Sequence, residues 1–439
     1  MSAASGRGQD DQAMRSLAAL ATFAAALCAG CMFIAAKEQQ QSLDATCLIS
    51  GSVASARKDA SPIVVVLLQQ REEAPRADAR QWRVVDHFVL EAPGRWGFGA
   101  GPGRYAVLAF KDRSRDLVYN PGESYGAAGA DEPLACRAGG RVADVAVVIP
   151  EKADKPLPKT VDIPKLQRRD AEGQLNATFG QMTAVGDVVA LADERFARKY
   201  AEDGLWRPYD FLTAGRAGVY FLEPYDAGRV PVLFVHGING TPLDFEYLIG
   251  RLDRKRFQPW VYYYPSGVHL GNVANHLEQT MKKLQVRYRV PRFAVVAHSM
   301  GGLVSRGFIQ RYTRDGGAGL PLFVTLSTPW GGHKAAQTGI DTAPVVVRVW
   351  NDMAPGSEYQ KSLYSTPLPQ AMRHHLLFTF KGSASGESGD GAVSVASQLL
   401  PQAQRDALKL YGFDDTHTGV LRDPQVSLLL NQLLDETFR

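Results

Sequence analysis

The chain has 439 residues, a formal net charge of +4, 45% apolar and 21% charged residues. That length exceeds one compact core and predicts two or three domains, and the composition is that of a folded soluble protein. Nothing in the small charge points to nucleic acid: the basic clusters at 165–169 and 251–256 have acidic neighbours and read as solvated surface.

In chain order, Ser16 to Ala36 carries no charged residue and lies between Arg15 and Lys37. Such a run is a secretion signal or a single membrane-spanning helix. Inside it, Leu27-Cys28-Ala29-Gly30-Cys31 resembles the lipobox of bacterial lipoproteins, which implies Cys31 as a lipidation candidate. It departs from that pattern at Cys28, where an aliphatic residue is expected, in the apolar sequence that continues past Cys31, and in Asp10 and Asp11 upstream. Residues 1–40 are therefore expected to be a signal, lipoprotein or membrane-anchor segment. Lipid-anchored, membrane-spanning and released forms all place the rest of the chain outside the cytoplasm. Beyond this segment, Cys47 and Cys136 either pair or stand as separate buried thiols. Neither has a His or Cys neighbour at metal-ligand spacing, so no metal site is expected.

Residues 41–150 read as a small all-β sandwich. Apolar runs at Ile63–Leu68, Phe88–Leu90, Trp96–Phe98, Tyr105–Phe110 and Val142–Ile149 alternate with turn signals such as Ala92-Pro93-Gly94 and Pro102-Gly103. The stretch from Pro102 to Asp112 resembles the transthyretin-like type of sandwich, which implies a spacer or binding module. Residues 151–180, rich in Lys, Pro and Asp at their start, read as a linker. A helical stretch is expected around Val188–Ala201.

Within residues 181–439 strands and helices alternate. Strands are expected at Val219–Leu222, Val232–Val235, Trp260–Tyr264, Phe293–Ala297, Leu322–Leu326, Leu376–Phe380 and Leu408–Phe413. Helices are expected from Thr241 (N-cap, with Pro242 behind it) to about Arg254, and over Asn272–Tyr288, Met300–Tyr312 and Pro424–Phe438. This alternation predicts an α/β unit with a mainly parallel sheet and helices on both faces. The mixed apolar region 341–369 is either a cap over a pocket or ordinary helix packed on the sheet.

Three motifs carry chemistry. Ala297-His298-Ser299-Met300-Gly301 lies between an apolar strand and a helix, where a nucleophile elbow belongs, although Ala stands at the first position where Gly is usual. The alternative is a Ser that merely caps a helix. Val235-His236-Gly237-Ile238-Asn239-Gly240 follows an early strand and suits an oxyanion loop, with donors from Ile238 and from Met300; His236 is expected to be structural. A Ser hydroxyl needs a His base and a carboxylate to orient it. Gly389-Asp390-Gly391 follows a late strand and makes Asp390 the expected acid, ahead of Glu387, Asp341 and Asp352. His417 follows the last strand and is the expected base, with His333 its main rival and His298, His374 and His375 poorly placed.

Taken together, the His-Gly loop, Ala-x-Ser-x-Gly, Ser327-Thr328-Pro329-Trp330-Gly331-Gly332, Gly-Asp-Gly and the late His resemble the α/β-hydrolase superfamily. The likeness covers about Gly218 to the C-terminus and is strongest to bacterial lipases and esterases of the Bacillus type and to PGAP-type lipid-remodelling hydrolases. It implies hydrolysis of a small-molecule or lipid carboxylic ester through an acyl-serine, with no cofactor. The same triad serves acyltransferases, thioesterases and amidases, and a non-catalytic envelope binding protein is a third class.

Overall fold

The computed structural model describes residues 32–57, 59–71, 82–152, 183–384 and 386–439. The lipobox-like stretch through Cys31 and nearly all of the expected linker lie outside them. The first described helix, α1 (residues 32–44), is held on the C-terminal unit. Gln39 Oε1 accepts the Asp210 N–H at 2.9 Å, Gln40 Nε2 donates to the Val346 carbonyl at 2.8 Å, and Phe33 meets Trp206 edge-on at 5.6 Å. Among the described residues no helix is long and apolar enough to cross a membrane.

The N-terminal part is a separate β region with strands β1 (Cys47–Ser55), β2 (Ile63–Gln70), β3 (Trp82–Leu90), β4 (Gly94–Ala100), β5 (Gly103–Lys111), β6 (Tyr125–Ala128), β7 (Leu134–Cys136) and β8 (Arg141–Ile149). One sheet runs β4-β1-β8 and the other β3-β2-β5-β6, with β7 paired to β5. All pairings are antiparallel except β1 with β8. Alternation decides the facing: Ile49, Val65, Leu67, Trp96, Val107 and Val147 form the layer between the sheets. The continuous run in β2 is buried on both sides because Val64, Val66 and Leu68 enter a second cluster that includes Val286 of the C-terminal unit. Cys47 and Cys136 form a disulfide, with Cα atoms 5.9 Å apart, tying β1 to β7 across the two sheets.

The C-terminal unit is built on an eight-stranded sheet. Its elements are β9 (Ala184–Val188), α2 (Lys199–Trp206), α3 (Pro208–Thr213), β10 (Gly218–Phe221), β11 (Val230–Val235), α4 (Glu246–Gly250), β12 (Phe257–Tyr263), α5 (Leu270–Tyr288), β13 (Ala294–His298), α6 (Met300–Arg314) and β14 (Leu322–Leu326). Helices α7 (Lys334–Thr342), α8 (Arg348–Met353) and α9 (Glu358–Leu363) precede β15 (Arg373–Thr379). The short strands β16 (Ser383–Ala384) and β17 (Glu387–Ser388) and helices α10 (Val395–Gln398) and α11 (Pro401–Asp406) lead to β18 (Lys409–Phe413) and α12 (Pro424–Thr437). The order is β18-β15-β14-β13-β11-β12-β10-β9. Strands β11 to β15 and β18 are parallel; β10 is antiparallel to β12 and carries β9 alongside it. Burial on both faces explains the unbroken apolar strands. In β11, Leu233 and Val235 face a cluster with α5 and α6, while Val232 and Phe234 face one with α4 and α12.

Two expected helices differ. The stretch around Val188–Ala201 is not one helix: Val188 ends β9, a 3-10 turn over Glu194–Phe196 follows, and α2 begins at Lys199. Five residues interrupted by Gly186 at φ +79° show no period, and their strand character comes from pairing with β10. The helix after Thr241 starts with the expected cap, a capping box with Asp244, but as a 3-10 turn, and α4 stops at Gly250 rather than near Arg254. Leu252 instead turns into the core. The 341–369 region packs as helices: Val347, Val349, Met353 and Leu363 are buried in the cluster of that face.

Candidate active site

Ser299 sits at the turn from β13 into α6 with φ 54° and ψ −130°, a conformation that costs a non-glycine residue on the order of 1–3 kcal/mol. Its N–H donates to the Leu326 carbonyl at 2.8 Å, which holds the turn against β14. The turn needs space behind it. A Cβ on Gly301 would overlap the carbonyl oxygens of Val235 and His236, and one on Gly237 would lie 2.9 Å from the Ser299 Cβ. Ser299 is 4% exposed.

The structure brings the three expected side chains together from distant parts of the chain. His417 Nε2 is 2.9 Å from Ser299 Oγ, and His417 Nδ1 is 2.8 Å from Asp390 Oδ2. Asp390 follows β15 and is 1% exposed. Its Oδ1 accepts the N–H groups of Ala392 (3.0 Å) and Val393 (2.7 Å); its Oδ2 also accepts from Thr379 Oγ1 (2.7 Å) and Gln398 Nε2 (3.1 Å). Burial pushes the carboxyl pKa up, but the hydrogen bond and charge of His417, the Val393 N–H and the Thr379 hydroxyl together hold it below its ordinary value. Asp390 therefore remains an anion that accepts from Nδ1–H, leaving the Nε2 lone pair for the Ser299 hydroxyl. Thr379, Gln398 and Ser327, whose hydroxyl is 2.7 Å from that of Thr379, form a support that sequence reading missed. Thr379 left a faint signal, a polar residue closing the apolar run of β15; Gln398 left none.

The rivals sit elsewhere. Glu387 is exposed and paired with Lys334 at 2.5 Å. Asp341 takes the Gln337 amide, and Asp352 accepts the Leu270 N–H. His374 Nε2 is 3.0 Å from Thr325 Oγ1, buried within the sheet layer, and His375 is 3.4 Å from the Tyr411 hydroxyl. His333 caps α7 by accepting the Ala335 N–H and forms a wall of the site. His298 Nε2 contacts the His417 carbonyl at 2.8 Å.

The loop after β11 lies opposite. His236 Nδ1 donates to the Gly237 carbonyl at 2.8 Å, its Nε2 accepts the Tyr264 N–H at 3.4 Å, and its ring stacks on Tyr264 at 4.2 Å. Burial brings its pKa down to about 4, so it is a neutral structural residue. Asn239, at φ 52°, is fixed by its N–H to Ser266 Oγ at 3.1 Å. Among the described residues no acceptor takes the N–H of Ile238 or of Met300, the first residue of α6. Ser299 and His417 open onto a cavity of about 510 Å³ walled by Ile238, Asn239, His333, Met353, Leu421 and Arg422. A second cavity of about 290 Å³ adjoins it across His333, Ala392 and Val393. Among the described residues no group of three or more His, Cys, Asp or Glu is arranged to hold a metal ion.

Residues 268–403 match a family model described as an alpha/beta hydrolase of unknown function. No curated protein matches the sequence. Among solved structures the chain is similar to the mature Bacillus licheniformis lipase BlEst2, at 17% identity over 49% of this chain and 97% of that one, with a TM-score of 0.40. It is also similar to the lin2722 gene product of Listeria innocua (14% identity, 48% and 95% covered, TM-score 0.38). Aspergillus fumigatus lipase B is a third (13%, 58% and 60%, 0.40). With its parallel sheet covered on both faces and its family match from α5 to α11, the C-terminal unit has the α/β-hydrolase fold, preceded by a separate β region.

Proposed function

We propose that this chain hydrolyses carboxylic esters outside the cytoplasm through an acyl-serine intermediate, with Ser299 as nucleophile, His417 as general base and acid, and Asp390 as its orienting carboxylate. The observation that carries this reading is the continuous relay Ser299 Oγ–His417–Asp390 at 2.9 and 2.8 Å. His417 Nε2 takes the Ser299 proton as Oγ attacks the acyl carbon. The N–H groups of Ile238 and Met300 receive the developing oxyanion, each such donor being worth about 10²–10³ in rate. His417 then gives the proton to the departing alkoxide. Water repeats the sequence on the acyl-serine, losing a proton to His417 and releasing the acid, with the proton returned to Ser299. The residues act on the ester without a cofactor.

The site cavity of about 510 Å³ has the size of a small-molecule pocket. The extracytoplasmic setting is supported by the Cys47–Cys136 disulfide and by the uncharged run that begins at Ser16, with Cys31 as a lipid tether just ahead of α1, whose Phe33 and Ala36 pack on the protein. We take the working units to be residues 41–150 and 181–439, joined by the 151–180 segment. The test is hydrolysis of short and long p-nitrophenyl esters by the wild type and by Ser299→Ala. Hydrolysis that disappears in the variant is expected; equal rates in the two proteins would overturn the proposal.

A further inference from the structure

His417 stands on the loop after β18, and such loops are the mobile parts of a fold. Its own backbone is pinned at both ends. The His417 N–H donates to the Asp390 carbonyl at 2.8 Å, and the His417 carbonyl lies 2.8 Å from His298 Nε2. His298 is the last residue of β13 and the immediate neighbour of Ser299. It is 5% exposed, and its ring lies 4.8 Å from that of His417. One dipeptide thus touches the base twice, Ser299 on the imidazole and His298 on the main chain. Resting on the acyl-serine reading above, we infer that His298 is a positioning residue that fixes the distance between nucleophile and base by donating Nε2–H to the His417 carbonyl.

The chemistry of the ring suits this role. A carbonyl only accepts, so the His298 proton resides on Nε2. Burial, and then the nearby His417, bring His298 down to about 3, so it stays neutral in one tautomer while His417 gains and loses its proton. A charged residue there would repel the imidazolium that forms on His417. Other bonds to the loop, such as Lys381 N–H to the Asp415 carbonyl at 3.0 Å, come from the β15 side and set no distance to Ser299. A main-chain drift of about 1 Å would carry His417 Nε2 out of hydrogen-bond reach, a misplacement that costs about 10²-fold in rate.

The test compares His298→Leu, which removes the donor, with His298→Gln, whose amide N–H can reach the same carbonyl. Rates with p-nitrophenyl acetate are normalised to the sites labelled by a fluorophosphonate, and the low-field proton resonance of the His417–Asp390 hydrogen bond is recorded. His298→Leu is expected to lower kcat about 10²-fold with KM changed less than about twofold, and to shift or broaden that resonance. His298→Gln is expected to restore most of the rate and the resonance. If the Leu variant does not fold, His298→Met is read in its place. Wild-type kcat per labelled site in the donorless variant, or a Gln variant as slow as it, would overturn the inference. Failure of the acyl-serine reading is a different result: the wild type itself would neither label nor hydrolyse.

Discussion

Replacing Asp390 by Asn removes one charge and almost no volume, and the structure dictates how the amide must sit. The Oδ1 position faces two main-chain N–H groups, Ala392 and Val393, at 3.0 and 2.7 Å. These donors cannot turn into acceptors. Placing the amide NH2 there would leave buried donors facing one another, at about 1–3 kcal/mol for each group left unsatisfied. At Oδ2 only Gln398 Nε2, at 3.1 Å, is a fixed donor, and the Thr379 hydroxyl can turn to accept, so the amide oxygen takes the Oδ1 position and the NH2 takes Oδ2, 2.8 Å from His417 Nδ1. A donor at that point requires a lone pair on Nδ1, which moves the imidazole proton to Nε2, the nitrogen 2.9 Å from Ser299 Oγ. His417 then cannot accept the serine proton. In this tautomer kcat is expected to fall by about 10⁴, with the fold retained. Steady-state hydrolysis of p-nitrophenyl acetate, with a circular dichroism melt for the fold, measures it. A folded Asp390→Asn protein within about tenfold of the wild-type kcat would refute the reasoning, since a properly oriented base contributes about 10²–10⁴.

Three further outcomes are expected. Gly301→Ala forces a Cβ against the Val235 and His236 carbonyls and should destabilise the protein by about 1–3 kcal/mol while displacing Ser299; a thermal melt with paired activity measures both, and an unchanged midpoint would contradict the packing. Cys47→Ser opens a cross-link spanning 89 residues and should cost about 2–5 kcal/mol of stability to the β region, with kcat unchanged; urea unfolding followed by Trp fluorescence reads this. Buried His236 titrates near 4 rather than at its ordinary 6.5, so its contribution is complete above pH 6.5 and is lost as pH falls toward 4. The loss is about 3 kcal/mol, to which His276, lowered to about 4, and His374, lowered to about 3, add in the same direction. Unfolding free energies that stay level from pH 7 to pH 5 would contradict this.

The parallel strands were legible because burial on both faces leaves an unbroken apolar run, as in Val232–Val235. The turn at Ser299 was legible because its close approach to β11 admits only small neighbours, and Gly301 is one. The order of Ser299, Asp390 and His417 along the chain was legible through the resemblance to α/β hydrolases, in which the nucleophile precedes the acid and the His comes last. Other features depend on contacts between distant segments. Thr379 and Gln398 converge on Asp390 only once β15 and α10 are side by side; nothing in the local sequence marks Gln398, and Thr379 shows only as a polar residue closing β15. The pairing of Cys47 with Cys136 required β1 and β7 to bring their Cα atoms within 5.9 Å. Gln279 and Lys283 are polar residues of α5 that the fold buries. They meet β3: Gln279 accepts the Val89 N–H, and Lys283 is 3.5 Å from Asp86. The strand β9 is recognisable only through its partner β10, because Gly186 breaks any local pattern.

The most direct test of the central claim is covalent. The full chain is treated with a fluorophosphonate, digested, and the modified residue is mapped by mass spectrometry. A single adduct on Ser299 is expected, lost in Ser299→Ala and formed much more slowly in His417→Ala. An unlabelled wild type, or an adduct on a different serine that persists in Ser299→Ala, would contradict it.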